Sequence, residues 1–161
     1  MKIQQLKKTF LIAAVGVTMT SLFISCKKDN DNNTPDNRPY SVSGTANSSQ
    51  MVPTGTGTGT ANFSGTYNPA TRMMTYTSTW TGLSGGPSSA GFYSGATGTT
   101  GTQAGMPWTI GAGSTGTGTT TGSMILSEAE ATQMTNGNWY YSYGTTTRPG
   151  GEVRGQLRAT R

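Results

Sequence analysis

The residue types that most often carry out catalysis are scarce in this sequence. It contains no histidine, and Cys26 is its single cysteine. Ser-His-Asp and Cys-His nucleophiles are therefore excluded, and so are zinc, copper and iron sites that depend on imidazole or thiolate ligands. The Gly-Lys-Ser/Thr sequence of a phosphate-binding loop does not occur either. We expect no catalytic residues, no metal site and no cofactor.

The carboxylates of the folded region offer little scope for acid–base catalysis. Glu128 and Glu130 follow Ser127 in the capping-box pattern of a helix start, where the helix dipole stabilises negative charge. Glu152 stands two residues before Arg154, and alternate residues of a strand share a face. We expect these two side chains to form an ion pair or to clamp a turn. An unrecognised enzyme of the cell envelope is therefore only the alternative hypothesis.

Aromatic side chains are the best candidates for ligand binding. Three of them could present flat faces to a sugar or a protein partner, namely Trp108, Trp139 and Tyr141. The other interpretation is that they fill the core, because alternate members of residues 139–143 must face inward. The expected function is a non-catalytic interaction, adhesion or structural module with an unknown protein or glycan partner, and a carbohydrate-binding module is an alternative.

The first 25 residues have the composition of a bacterial export signal. Lys2, Lys7 and Lys8 precede an apolar run from residue 10 to residue 24. At ~15 residues this run is shorter than the ~20 that a membrane-spanning helix requires. It ends in Phe-Ile-Ser-Cys, which resembles the lipobox at which bacterial lipoproteins are cleaved and lipidated. We predict a signal peptide over residues 1–25 and lipid on Cys26, with a plain secretory signal and an incidental cysteine as the alternative.

Residues 26–39 are predicted to form a flexible polar tether. They contain two prolines and no large apolar residue, so they have nothing to bury. The Lys-Lys-Asp sequence after Cys26 resembles the charged tag of surface-exposed lipoproteins. The expected localisation is extracytoplasmic and lipid-anchored in the outer membrane, with exposure at the cell surface as the further hypothesis. Removing the leader lowers the formal net charge of +5 by three, and no basic run is interleaved with aromatic residues. We therefore expect no nucleic-acid partner.

From Tyr40 onward, polar and apolar residues alternate with the period of a strand. Residues 60–67 and 72–81 flank an Asn-Pro turn and predict a hairpin that buries Phe63, Tyr76 and Trp80 on one face. Further strands are predicted over residues 40–45, 89–95, 106–110, 122–126, 139–145 and 152–159. The fold class expected for residues 40–161 is all-β, as an antiparallel sandwich or barrel-like domain.

Two other features modify this all-β prediction. The capping box at Ser127 and the glycine at position 137 predict one short helix near residues 127–135. The Gly-Thr runs over residues 54–60 and 111–122 are compatible with either flexible loops or edge strands. With 24 glycines and 11% charged residues, a disordered chain is a competing interpretation. The clusters of alternating apolar residues argue against it.

The C-terminal residues are similar to a known family motif. Residues 149–157 read Pro-Gly-Gly-Glu-Val-Arg-Gly-Gln-Leu, which resembles the signature that closes the CHRD domain, the module named after chordin. The motif residues expected to have structural roles are Pro149, Gly150, Gly151, Glu152, Arg154 and Gly155. The resemblance extends over about residues 40–157 and implies an all-β fold and an extracellular context.

Two upstream motifs of that family contain histidines, and this chain departs from both. The family's histidine positions fall on Gly91, Tyr93 and Gly144. Whatever proton or metal chemistry those histidines serve elsewhere is therefore not carried over to this chain.

Replacing Cys26 with Ser tests the predicted anchor. We expect the wild-type chain to partition with membranes and the Cys26→Ser chain, once its leader is cut, to be soluble, because the tether has no other apolar surface. Cell fractionation followed by immunoblotting measures this. A variant that is processed and still sediments with membranes would contradict the lipoprotein hypothesis.

Overall fold

The computed structural model describes residues 36–161, so the predicted signal peptide, Cys26 and most of the tether lie outside the described residues. In chain order the elements are β1 (Tyr40–Asn47), a 3-10 turn (Ser48–Gln50), β2 (Thr60–Asn68), β3 (Met73–Thr81), β4 (Pro87–Ser94), β5 (Thr102–Ala104), β6 (Gly118–Ile125), α1 (Glu128–Thr135), β7 (Trp139–Thr145), β8 (Val153–Gln156) and β9 (Arg158–Thr160). Over this range, no helix is both long enough and apolar enough to cross a membrane.

The strands form one antiparallel sheet that curls into a half-barrel. Its order is β5-β4-β7-β8-β1-β2-β3-β6, and β9 pairs with β1. The strands β1, β2 and β3 follow one another as a meander. In contrast, β7 pairs with β8 and with β4, from which it is separated in the chain by β5, β6 and α1. The expectation of an all-β domain with one short helix is confirmed.

The hairpin predicted over residues 60–81 is present. β2 and β3 pair antiparallel along their whole length. In the turn, the side-chain oxygen of Asn68 accepts a hydrogen bond from the backbone N–H of Ala70 at 2.9 Å, which is the local bond that favours Asn in turns. Phe63 and Trp80 are buried and Tyr76 is half-buried, so the strand alternation identified the inner face correctly.

The predicted helix is confirmed as α1. The hydroxyl of Ser127 accepts a hydrogen bond from the backbone N–H of Glu130 at 3.3 Å, and the carboxylate of Glu130 accepts one from the backbone N–H of Ser127 at 2.8 Å. These two bonds complete the capping box. Gly137 follows the helix with a φ of +75°, the left-handed conformation that commonly ends a helix.

The strand predicted over residues 106–110 is wrong. These residues form a loop, and the short strand β5 lies just before them. Gly105 has a φ of +66° and Pro107 has no N–H to contribute to a ladder. A single backbone bond, from the N–H of Trp108 to the carbonyl of Ala90 at 2.8 Å, ties this loop to β4.

The two Gly-Thr runs have different structures. In the first run residues 54–59 form a loop and Thr60 begins β2, whereas in the second run residues 111–117 form a loop and residues 118–122 belong to β6. β6 forms a ladder with β3 along its whole length. The partner strand therefore decides which run becomes a strand, because the composition of the two runs is nearly the same.

Aromatic rings fill the inner face of the half-barrel. The ring centroids of Phe63 and Tyr141 are 5.4 Å apart, and those of Phe92 and Trp108 are 4.8 Å apart in an edge-to-face arrangement. Pairs of this kind each stabilise a fold by ~0.5–1.5 kcal/mol beyond the burial of their surface. Since the sequence has a single cysteine, no intrachain disulfide supports this core.

Two adjacent residues give a matched test of the core. Leu126 is fully buried, whereas Ile125 is 65% exposed. We expect Leu126→Ala to lower the free energy of unfolding by ~2–5 kcal/mol, because it removes buried methyl groups and leaves a cavity. Ile125→Ala should cost less than ~1 kcal/mol, since it changes only a strand preference. Urea denaturation of both variants measures the difference, and equal losses would contradict the placement of the core.

Candidate functional site

The motif at residues 149–157 closes the domain through a tight turn. The backbone groups of Thr145 and Arg148 exchange two hydrogen bonds, of 3.2 and 3.0 Å. Gly151 follows with a φ of +121°, a conformation that side chains rarely adopt. The N–H of Glu152 then donates to the carbonyl of Tyr143 at 2.7 Å, so β8 starts in register beside β7.

Glu152 is a buried carboxylate that is occupied by protein donors. One oxygen accepts from the backbone N–H of Ser84 at 2.8 Å, and the other accepts from the hydroxyls of Ser84 and Thr145 at 2.6 and 2.8 Å. A guanidinium nitrogen of Arg148 lies 3.3 Å from the first oxygen. Burial alone would raise the pKa of Glu152, but the hydrogen bonds from Ser84 and Thr145, together with the charge of Arg148, hold it below its ordinary value.

The sequence predicts that Glu152 and Arg154 form an ion pair or clamp a turn, and of these the ion pair between them is wrong. The basic partner of Glu152 is Arg148. Residue 152 lies in a bend after Gly151 and before β8, so the strand alternation that predicted the pair does not apply to it. Arg154 instead donates to the backbone carbonyls of two residues in the loop after β4.

Gly155 is required by a close approach of two strands to an aromatic ring. A Cβ atom at this position would lie 2.6 Å from the ring of Tyr141 and 2.8 Å from the carbonyl oxygen of Thr45. The vacant space lets Tyr141 extend across the sheet, where its hydroxyl lies 3.1 Å from the carbonyl of Gly44 and 2.9 Å from that of Ala61. Gly155 and Tyr141 together therefore hold β8 against β1 and β2.

The three aromatic residues predicted as a binding surface lie in the core. Trp139 and Tyr141 have no exposed surface, and Trp108 is 8% exposed. An exposed aromatic platform at these positions is therefore not what the structure contains. The alternative interpretation, that these rings fill the core, agrees with the structure.

A polar cavity lies instead on the outer face of β4, β7 and β8. Trp139, Tyr141 and Tyr143 point into the core, so Tyr140 and Ser142 point outward. This outer face is flanked by three segments, namely the loops over residues 48–57 and 95–101 and the turn over residues 145–151. Every residue of β7 is therefore buried. The cavity has a volume of about 130 Å³. We call it the Arg154 cavity, and its lining includes Ser89, Tyr93, Ser142, Gly150, Gly151 and Arg154.

Three side chains form layers across this face. The guanidinium carbon of Arg154 lies 3.6 Å from the ring centroid of Tyr140. The ring of Tyr93 stacks on that of Tyr140, with centroids 5.1 Å apart and planes 11° from parallel. Arg154 is 3% exposed and donates to the carbonyls of Thr99 and Ala96 at 2.6 and 2.9 Å. Burial lowers the pKa of Arg154 from its ordinary value, but arginine keeps its charge in proteins.

The positions at which the sequence resemblance implies histidine share this outer face. Gly91 and Tyr93 lie two residues apart on β4, and Gly144 lies on the neighbouring strand β7. Tyr93 and Gly144 line the Arg154 cavity. Within residues 36–161, no group of three or more His, Cys, Asp or Glu side chains is placed to hold a metal ion.

Sequence reasoning did not find the Arg154 cavity. The strand alternation over residues 139–143 predicted only that alternate side chains face inward. Which loops cover that face depends on contacts between residues far apart in the chain, such as the bond from Arg154 to Thr99.

The fold and the closing motif define an all-β module in which the buried carboxylate of Glu152 binds Ser84 and Thr145. A family model for the CHRD domain matches residues 42–157. The chain therefore belongs to the CHRD domain family. No curated protein and no solved structure matches it.

Replacing Glu152 with Gln should destabilise the domain in a pH-dependent way. A carboxylate whose pKa is lowered by folding stabilises the native state above its unfolded pKa, and that contribution is lost as the pH falls through its folded pKa. At pH 7 we expect Glu152→Gln to lower the free energy of unfolding by ~1.5–3 kcal/mol, since its hydrogen bonds become uncharged or unmade. The difference in the free energy of unfolding between wild type and Glu152→Gln should shrink below about pH 4.

Urea denaturation from pH 7 to pH 3 measures this difference. The control is Glu128→Gln, because Glu128 is exposed in the first turn of α1. A difference for Glu152→Gln that stays constant across the pH range would contradict the assignment.

Proposed function

We propose that this chain is a non-catalytic binding module, held outside the cytoplasm by lipid on Cys26 and anchored in the outer membrane. The observation that carries the proposal is how the domain uses its charged groups. The buried carboxylate of Glu152 is engaged by protein donors. The buried guanidinium of Arg154 borders a polar cavity.

The disposition of Glu130 and Glu152 supports a non-catalytic role. General acid–base catalysis needs a group that can exchange a proton with a substrate. The carboxylate of Glu130 accepts bonds from the backbone and side chain of Ser127, and Glu152 links three segments of the fold. Arginine keeps its proton at any ordinary pH, so Arg154 is suited to binding a partner and not to proton transfer.

Two features support the location. The CHRD domain is an extracellular-type module, and the Phe-Ile-Ser-Cys sequence that ends at Cys26 is similar to a lipobox. The ring of Tyr93, which is only partly buried beside the Arg154 cavity, favours a glycan among the partners to be tested, since partly exposed aromatic faces suit sugars.

Metabolic labelling tests the anchor directly. Cells expressing the full chain are fed an alkyne-bearing fatty acid, and the purified protein is probed with a fluorescent azide. We expect label on the wild-type chain and none on Cys26→Ser, whether or not the leader of the variant is cut. Equal labelling of both, or labelling of neither, would overturn the lipid anchor.

Binding is tested with the full chain in a non-ionic detergent. The immobilised protein is incubated with envelope extract, and the labelled protein is applied to a glycan array. We expect capture of a defined glycan or protein that remains chemically unchanged after prolonged contact. Cleavage of the captured partner would overturn the non-catalytic assignment, and the absence of any partner in both assays would overturn the binding function.

A further inference from the structure

The Arg154 cavity holds a positive charge that the protein leaves without an acidic partner. The salt bridges within residues 36–161 involve Arg38, Arg148 and Arg161, and none involves Arg154. No acidic residue lines the cavity. Charges that are taken out of water are normally paired with an opposite charge or fully hydrogen-bonded, so a guanidinium buried without an acidic partner leaves its charge for a ligand to balance.

The hydrogen bonds of Arg154 do not use all of its donors. An arginine carries five N–H groups. Three bonds go to the carbonyl of Thr99, the carbonyl of Ala96 and the side-chain oxygen of Gln156. These bonds use one N–H of Nη1 and the two of Nη2, so within residues 36–161 the N–H on Nε and the second N–H on Nη1 make no hydrogen bond to the protein. These bonds and the stack on Tyr140 fix the guanidinium in place, so a ligand would meet a preorganised group.

Other donors border the same cavity. Ser89 and Tyr93, whose side chains carry hydroxyl groups, are among its lining residues. Burial raises the pKa of Tyr93, so its hydroxyl keeps its proton at neutral pH. The volume of about 130 Å³ is enough for a few water molecules or one small charged group.

We propose that the Arg154 cavity is a binding site for an oxyanion, namely a carboxylate, sulfate or phosphate group carried by an envelope ligand. A planar guanidinium and hydroxyl donors are the groups that recognise such anions in proteins. The proposal rests on the proposed binding function and names the chemistry of its ligand.

A substitution at Gly150 tests the site without removing Arg154, whose loss could unfold the loop that it holds. Gly150 lines the cavity, and no atom lies within 4 Å of the position that its Cβ would take. Gly150→Asp adds a carboxylate beside the cavity, and Gly150→Asn adds a neutral group of the same shape. Both variants should fold, because neither meets a clash.

The full chain in a non-ionic detergent is titrated with sodium phosphate, sulfate or acetate against sodium chloride at constant ionic strength. Melting temperature and calorimetry follow binding. We expect a saturable rise in the melting temperature of wild type, because a ligand of the native state stabilises it. Gly150→Asp should bind about ten-fold more weakly than Gly150→Asn or not at all, because a nearby carboxylate repels the anion and competes for the guanidinium, whereas the neutral amide occupies the same space.

Glucuronate and glucose distinguish an anion carried on a sugar from the sugar itself. We expect glucuronate to bind and glucose not to bind. Glucose binding as tightly as glucuronate would overturn the proposal. So would the absence of a saturable effect with every oxyanion, or equal affinities for Gly150→Asp and Gly150→Asn.

These outcomes are separable from failure of the binding function. If the partner captured from the envelope binds Gly150→Asp and Gly150→Asn equally, it binds elsewhere, and the oxyanion proposal fails while the binding function stands. If no partner is captured by wild type either, the binding function itself fails.

Discussion

The buried carboxylate of Glu152 joins parts of the chain that are far apart in sequence. It accepts hydrogen bonds from Ser84, which lies before β4, and from Thr145 at the end of β7, and it pairs with Arg148 in the closing turn. A carboxylate costs several kcal/mol to remove from water unless its oxygens are satisfied. Every one of these donors must therefore be in place when the domain is folded. In this way the closing motif sets where β4, β7 and β8 meet.

The outer face of those strands follows from that arrangement. Because Gly151 and Glu152 turn the chain into β8, Arg154 lies across the outer face of Tyr140 and reaches the loop after β4. One short motif thus supplies two buried charges of opposite sign with different partners. The charge of Glu152 is balanced within the fold by Arg148, whereas Arg154 borders a cavity. The binding chemistry proposed for the domain arises from this separation.

Two glycines of the closing motif have a physical explanation in the structure. Gly151 is in a conformation that favours glycine, and Gly155 makes room for Tyr141. The positions at which the sequence resemblance implies histidine share the outer face on which the Arg154 cavity lies, and this chain has glycine or tyrosine there. This chain has the buried hydrogen bonds of Glu152 although that face carries no histidine. The chemistry of the face has to be argued from this chain's own residues.

Local patterns in the sequence were sufficient for the 60–81 hairpin, the capping box of α1, the inner face of β3 and the all-β class, because alternation and capping involve neighbouring residues. The absence of histidine and of a second cysteine likewise excludes whole classes of chemistry by composition alone. Other features depend on contacts between distant segments. The loss of the predicted strand at 106–110, the choice of Arg148 as the partner of Glu152, and the burial of both faces of β7 are of this kind. Only the tertiary structure decides them, because strand pairing and loop cover bring together residues whose proximity no local period encodes.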